Sequence, residues 1–337
     1  MSILLSHNTA LELLRGVPPQ VRRWEVAGEL PMEDNSTDLR ALRGVDMRDL
    51  GVQQQPLNVL VARGAPASKS QRLRTRWFGL GSIPAGLMLR MSQDVYVAGP
   101  ELCFVQMAQL TSLVGAVVLG CELCGGYSHF PRLISGFYER PPLTSVERLQ
   151  GALESLEGLY GLGRARAALE WARNASRSPM ETVVSCEFHL PGREHGLAFQ
   201  KPELNHRVPL DDEAAAVAGT RSCYVDAAWP GARRGLEYDS ALFHKDPARD
   251  LRRREALQHM GWDIYTINVD QMADHAELMR TVALIADEIP RQEDGPAPDD
   301  EVAALHRRLL RATRCGMGLE AALFSVPVCS GQVRIHL

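Results

Sequence analysis

The chain has 337 residues, a formal net charge of −4, 45% hydrophobic residues and 23% charged residues. This composition is typical of a soluble globular protein with room for two domains, and it excludes a disordered chain. The acidic balance excludes a uniformly basic, histone-like nucleic-acid binder, but it is compatible with a local basic patch.

The pattern of apolar residues and cysteines predicts a cytoplasmic protein. The apolar stretch from Leu110 to Leu123 is interrupted by polar residues and glycines and is too short to cross a membrane as a helix. No basic segment followed by an apolar run begins the chain, so we expect no secretory signal. The 7 cysteines lack framework spacing, which favours a reducing compartment. Cys121 and Cys124 have CxxC spacing without a second ligand pair, so we expect them to be buried structural residues.

Residues 1–140 are predicted to form a mixed α/β domain. The first helix is expected at Asn8–Arg15, and buried strands are expected at Leu57–Ala62 and Val95–Ala98. Pro100 is typical of a first helical position, and the apolar content after it predicts one helix through Leu119.

A second domain, residues 141–290, is expected to begin at Pro141-Pro142. Thr144 and Glu147 have the spacing of a capping box, and Ser178 and Glu181 repeat that spacing before a later helix. The remaining predicted elements are helix Arg164–Ala172, a strand at Leu204–Leu210, a hairpin at residues 223–239, a helix from Pro247 ended by Gly261, and a strand at Trp262–Ile267. The fold class is therefore α/β. Residues 291–337 are interpreted as a solvated linker, a helix at Glu301–Thr313 and a tail with a strand from Phe324 onward.

The hairpin brings two acids together. With Gly231 and Ala232 as central turn residues, Gly231 has the positive φ of a type II′ turn, and Asp226 lies opposite Glu237. Directly opposed residues have Cβ atoms about 5 Å apart, and like charges at that distance are destabilising. This arrangement favours a cation between the two carboxylates, whereas two solvated acids on a surface hairpin are the alternative.

The segment Ser178–Ile267 resembles the PD-(D/E)xK nuclease-like superfamily, and most closely its very-short-patch-repair-like endonuclease domains. The residues that carry the resemblance are Glu181, Asp226, the run Glu237-Tyr238-Asp239, His244, and the helix with Asp250, Arg253, Leu257 and Gly261-Trp262. Residues 1–140 are similar to the part of abortive-infection antitoxin-like proteins that does not bind DNA, through Leu5-Ser6-His7, Pro56-Leu57-Asn58-Val59 and Val97-Ala98-Gly99-Pro100-Glu101. The winged helix that often precedes such a region is missing.

The resemblance implies a restriction-endonuclease-like domain with a mixed central sheet flanked by helices. It implies hydrolysis of DNA phosphodiesters with Mg²⁺ or Mn²⁺, in phage defence or toxin–antitoxin biology, with DNA and a toxin or other protein as partners. Asp226 and Glu237 would be metal ligands with help from Glu181, and Asp239, His244 and Lys245 would complete the catalytic set. Arg249 and Arg253 would contact phosphates.

The nuclease signature has a lysine where this chain has Asp239, so Lys245 and Lys201 are the candidate substitutes. A catalytically inactive nuclease fold that serves as a regulatory or binding module is therefore the alternative function. For single residues other readings stay open. Glu181 also suits a helix cap, Asp239 an ion pair with Arg249 or Arg253, and the arginines a solvated helix face.

Overall fold

The computed structural model describes residues 2–16, 24–130, 133, 136–239, 247–293 and 295–314, and it has the predicted mixed α/β class. Within these residues, none of the helices is both long and apolar enough to cross a membrane. His244, Lys245 and the predicted strand beyond Phe324 lie outside the described residues.

The described chain contains both helices and strands in its N-terminal and C-terminal halves. The helices are α1 (His7–Leu14), α2 (Pro100–Ala108), α3 (Leu113–Leu123), α4 (Val146–Ser155), α5 (Leu162–Leu169), α6 (Pro179–His189), α7 (Asp212–Ala218), α8 (Pro247–His259), α9 (Val269–Ala273), α10 (His275–Ile285) and α11 (Asp299–Arg314). The strands are β1 (Ile3–Leu5), β2 (Glu25–Val26), β3 (Leu30–Pro31), β4 (Leu57–Ala62), β5 (Leu73–Phe78), β6 (Ser82–Ile83), β7 (Met88–Ser92), β8 (Val95–Ala98), β9 (Tyr127–His129), β10 (Phe137–Glu139), β11 (Glu203–Pro209), β12 (Ser222–Trp229), β13 (Arg234–Asp239) and β14 (Asp263–Asn268).

The N-terminal half is built on a six-stranded sheet in the order β2-β7-β8-β1-β4-β5. β1 is parallel to β8 and antiparallel to β4, and β5 is a parallel edge strand beside β4. The predicted strands β4 and β8 are confirmed, whereas the single helix predicted through Leu119 is wrong. Two helices form there because Ser112 caps the second one, accepting a hydrogen bond from the amide of Gly115 at 3.1 Å.

The C-terminal half contains a four-stranded sheet in the order β11-β12-β13-β14. The first three strands are antiparallel neighbours, and β14 is parallel to β13. α6 precedes the sheet and packs on β12 and β13, and α8 connects β13 to β14. On one face Ala227, Trp229 and Leu236 join the main core, and on the other a smaller cluster forms around Val225 and Leu257. Helices therefore flank this sheet on both faces.

One cluster of buried apolar side chains extends from Ile3 to Leu305. Helices α4, α5 and α6, which follow Pro141-Pro142, pack against α2 and α3, which precede it. The domain boundary at 140 remains a prediction, and the two halves share a continuous core across it.

The structure corrects the predicted cap of α4 and adds detail to the predicted linker at 291–300. The cap of α4 is Ser145, which accepts from the amide of Arg148 at 3.3 Å, because the Thr144 hydroxyl instead donates to buried Glu101 at 2.7 Å. Residues 291–300 are predicted to be a solvated linker, and most of the described ones are exposed, but the segment is also attached to the protein. The side chain of Gln292 donates to the carbonyls of His189 and Phe199, at 2.6 Å and 2.7 Å, so this segment packs on the body of the protein.

Candidate functional site

The β12–β13 hairpin has the predicted register. Trp229 pairs with Arg234, Ala228 with Gly235 and Ala227 with Leu236, so one further step brings Asp226 beside Glu237. Gly235 is required in this strand, because a Cβ there would lie 2.6 Å from side-chain atoms of both Val225 and Ile264.

The predicted type II′ turn at Gly231 is wrong. The loop spans residues 230–233, and its positive φ, 51°, occurs at Arg233. Two successive turns explain the difference, since the amide of Ala232 donates to the carbonyl of Trp229 and the amide of Arg233 to that of Pro230. The predicted register is nevertheless correct, because the predicted turn and the observed loop pair the same residues of the two strands.

Asp226 lies where the alternation of side chains along β12 is broken. Val225 belongs to the cluster on the α8 side of the sheet, whereas Ala227 belongs to the main core on the other side. Asn205, opposite Asp226 in the register with β11, has a positive φ of 48°. At this distortion the Asp226 carboxylate accepts a hydrogen bond from the backbone amide of Tyr238 at 3.0 Å.

Glu181, in the first turn of α6, lies near the Asp226 carboxylate. Ser178 caps this helix as predicted, accepting from the amide of Glu181 at 3.1 Å, and Pro179 is its first residue. The Glu181 carboxylate accepts from the amide of Arg177 at 2.8 Å. It therefore completes the helix start and also lies close to Asp226, so the two readings of this residue are compatible.

The two acids have raised pKa values. Burial and the neighbouring charge of Asp226 raise the pKa of Glu181 to about 8. Burial and the charge of Glu237 raise the pKa of Asp226 to about 6, against the opposing effects of the Tyr238 amide and Arg253. Near neutral pH this site therefore favours either a bound proton or a bound cation.

Glu237 is neutralised by an arginine. Both of its oxygens accept from the Arg253 guanidinium of α8, one of them at 2.9 Å, and Arg253 also donates to the carbonyl of Tyr224. The side chains of Arg253 and Glu237 are 28% and 13% exposed. Arg253 was predicted to contact phosphate, but here its guanidinium is engaged with Glu237.

The other predicted site residues lie around this group or beyond it. Asp239 ends β13, partly buried, and pairs with Asn268 of β14. Arg249 is exposed in the first turn of α8. Lys201, one candidate substitute for the missing lysine, lies 4.3 Å above the centre of the Trp171 ring, where burial lowers its pKa. The other substitute, Lys245, and His244 are outside the described residues.

The carboxylates suit a hard divalent cation in number and type. Mg²⁺ is commonly held by one or two protein carboxylates together with water and substrate oxygens, and Asp226 and Glu181 supply such a pair. Each oxygen of an ionised carboxylate has two lone pairs, so Glu237 can accept from Arg253 and still face a cation. In the described part of the chain, no group of three or more Asp, Glu, His or Cys side chains already has a metal-binding arrangement.

Sequence comparison identifies relatives of the chain without assigning it an activity. It is 34% identical over 146 residues to uncharacterized proteins from two strains of Mycobacterium tuberculosis, CDC 1551 / Oshkosh and H37Rv. The alignment covers 42% of this chain and 48% of each relative, so the chain spans about half the length of the curated relatives it matches. No family model and no solved structure matches the chain.

Proposed function

We propose that this protein is a Mg²⁺- or Mn²⁺-dependent endonuclease that hydrolyses DNA phosphodiesters. The observation that carries the proposal is the convergence of Glu181, Asp226 and Glu237 on one partly buried site, where two of them have raised pKa values. The order of the elements around them supports it as well. Helix α6 is followed by the antiparallel strands β11, β12 and β13, with the short α7 between the first two, and then by the crossing helix α8 and the parallel strand β14. They form a mixed sheet flanked by helices, as the resemblance to PD-(D/E)xK nucleases implies.

In this function Asp226 and Glu181 would hold the cation together with Glu237, whose orientation Arg253 fixes. A bound divalent cation would neutralise charge developing on the phosphoryl oxygens and lower the pKa of a water molecule. Asp239 assists from the same strand. His244 and Lys245 are the proposed groups that hold the attacking water, and Arg249 is the proposed phosphate contact.

A catalytically inactive nuclease fold is the second candidate, in which the domain binds nucleic acid or protein. Two observations favour it. Asp239 occupies the position of the signature lysine, and the Arg253 guanidinium compensates the charge of Glu237. In this case the arginine replaces the cation that the site would otherwise need.

The biological setting is proposed from the resemblance. It points to phage defence or toxin–antitoxin biology in the cytoplasm, with DNA as substrate and a toxin or another protein as partner.

Calorimetric titration of Mn²⁺ and Mg²⁺ into the full chain separates the metal-dependent function from the inert module. We expect heat of binding for wild type and none for Asp226→Ala. Glu213→Ala is the matched control, because Glu213 is an exposed acid of α7 and its loss should leave metal binding unchanged. Absence of metal-dependent heat in wild type contradicts the nuclease proposal.

A plasmid-nicking assay then distinguishes catalysis from binding alone. We expect nicking by wild type with Mg²⁺, and a loss of at least about 100-fold in Glu181→Gln and Asp226→Ala, since even the outer-shell partners of metal ligands change activity by about 10–100-fold. Metal binding without nicking supports the inert module. Nicking that is unchanged in Asp226→Ala would show that the active site lies elsewhere in the chain.

A further inference from the structure

A long acid-free stretch occurs in the N-terminal half of an otherwise acidic chain. Between Asp49 and Asp94 there is no aspartate or glutamate, whereas the stretch contains 6 basic residues. Five of them, Arg63, Lys69, Arg72, Arg74 and Arg76, lie on edge strand β5 or in the loop before it, and are called the basic edge here. The charge is therefore concentrated on one margin of the six-stranded sheet.

The basic edge is available to a partner. Among the strands that the structure describes, β5 is the last of its sheet and pairs only with β4, so one row of its backbone groups faces away from the sheet. Arg63, Lys69, Arg72 and Arg74 are exposed, and Arg76 is partly buried.

Among the described residues, no carboxylate lies within ion-pair distance of the basic edge. Arg76 donates to the amide oxygen of Asn58 at 2.9 Å, a neutral partner, and its pKa is lowered by burial and by Arg74. Arg90, the sixth basic residue of the stretch, does have a partner, since it lies 3.9 Å from Glu25. Adjacent, uncompensated arginines repel one another and favour an external polyanion.

Trp77 adds a second kind of contact. It is 67% exposed, an unusual state for the largest apolar side chain, and it follows Arg76 on the same strand, so the two side chains leave opposite faces of the edge. Its indole N–H donates to the carbonyl of Ala65 at 3.1 Å, which orients the ring on the loop. A single strand that crosses this edge can stack a base on the oriented, exposed indole on one face while the arginines bind its phosphates on the other.

We propose that the basic edge and Trp77 bind single-stranded nucleic acid. A single strand is favoured over a duplex because its bases are unpaired and can stack on Trp77. An acidic peptide would satisfy the arginines but would leave the indole without a matching contact. The proposal is independent of the cleavage chemistry, because it concerns a surface in the other half of the chain and needs no metal.

Fluorescence anisotropy with a labelled oligothymidylate of about 20 nucleotides tests it, using the full chain in EDTA at several salt concentrations. We expect affinity to fall with salt by a slope of about −0.7 for each phosphate contact. Arg72→Glu/Arg74→Glu should weaken binding by at least about 10-fold and reduce the slope. Trp77→Ala should weaken binding by about 5-fold or more without changing the slope.

Arg43→Glu/Arg48→Glu is the control, because both residues are exposed, lie outside the basic edge and give the same change in net charge. Circular dichroism verifies folding, and Arg72→Gln/Arg74→Gln replaces the charge reversal if that variant unfolds. Equal weakening by the control, no effect of Trp77→Ala, or binding to duplex as tightly as to the single strand would overturn the proposal. Failure of metal binding at Asp226 would leave it intact.

Discussion

At Glu181 and Asp226, burial and like charge both favour the protonated acid. The folded protein therefore keeps protons that the unfolded chain has released, between about pH 4, where ordinary carboxyls titrate, and the pKa of Glu181, about 8. Because the folded state binds more protons in this range, the free energy of unfolding falls as the pH rises through it. A bound divalent cation would remove this penalty.

Asp226→Asn should therefore stabilise the protein at pH 8 in the absence of metal. The substitution removes one charge and the neighbour that raises the pKa of Glu181, while the amide oxygen can still accept from Tyr238. We expect a gain of about 1–2 kcal/mol at pH 8 that disappears near pH 4. Urea denaturation at both pH values measures it. A variant that is less stable at pH 8 would mean that the wild-type site is not under electrostatic strain.

Arg253→Gln should destabilise the protein, because it leaves the partly buried Glu237 beside Asp226 without compensation. We expect a loss of about 2–3 kcal/mol in urea denaturation, somewhat below that for a fully buried pair. Arg254→Gln is the matched control, since Arg254 is exposed and donates to the neutral Thr266 hydroxyl at 3.0 Å. Equal stability of the two variants would show that the Arg253–Glu237 pair contributes nothing to folding.

The sequence predicts which acids meet, but not which arginine meets them. The hairpin register predicts that Asp226 lies opposite Glu237, and this prediction is correct although the predicted turn type is wrong. Arg252, Arg253 and Arg254 are adjacent on α8, so the one that faces Glu237 depends on how the helix is rotated against the sheet. Buried Ala256 and Leu257 fix that rotation, and it is a tertiary property.

At the scale of elements, the cap of α6 connects local helix chemistry to the site. Ser178→Ala removes the acceptor for the amide of Glu181 and should reduce stability by about 1 kcal/mol. It should also weaken Mn²⁺ binding, because the start of the helix orients the Glu181 carboxylate. Ser145→Ala removes the equivalent cap of α4 at a similar cost and should leave Mn²⁺ binding unchanged. Calorimetry and thermal unfolding of both variants give the comparison. Equal Mn²⁺ affinity of Ser178→Ala and Ser145→Ala would show that the α6 cap does not contribute to the metal site.

Elements with strong local signals were predictable from sequence. Strands β4 and β8 are short apolar runs, and α6 has a serine cap followed by proline. α7 was missed because its run Asp-Glu-Ala-Ala-Ala-Val-Ala has little apolar periodicity. Its signal lies at its ends, in the Asp211 cap, which accepts from the amide of Ala214, and in Gly219, whose φ is 67°. The cap of α4 shifted by one residue because a buried partner, Glu101, holds Thr144.

At the scale of the whole molecule, the shared core predicts joint unfolding. Helices on both sides of Pro141-Pro142 pack against one another, so neither half keeps its buried surface when the other unfolds. We expect one calorimetric transition, with tryptophan fluorescence and far-ultraviolet circular dichroism giving the same midpoint. Two separate transitions would instead support independent domains divided near residue 140.

The position of a bound Mn²⁺ ion tests the central claim most directly. In crystals soaked with Mn²⁺ near pH 8, anomalous diffraction should give a peak about 2–2.5 Å from carboxylate oxygens of Asp226 and Glu181, as expected for oxygen ligands of a hard cation. The same soak of Asp226→Asn should lose this peak. Absence of manganese at these carboxylates in wild type, with Arg253 still bound to Glu237, would contradict a metal-dependent site.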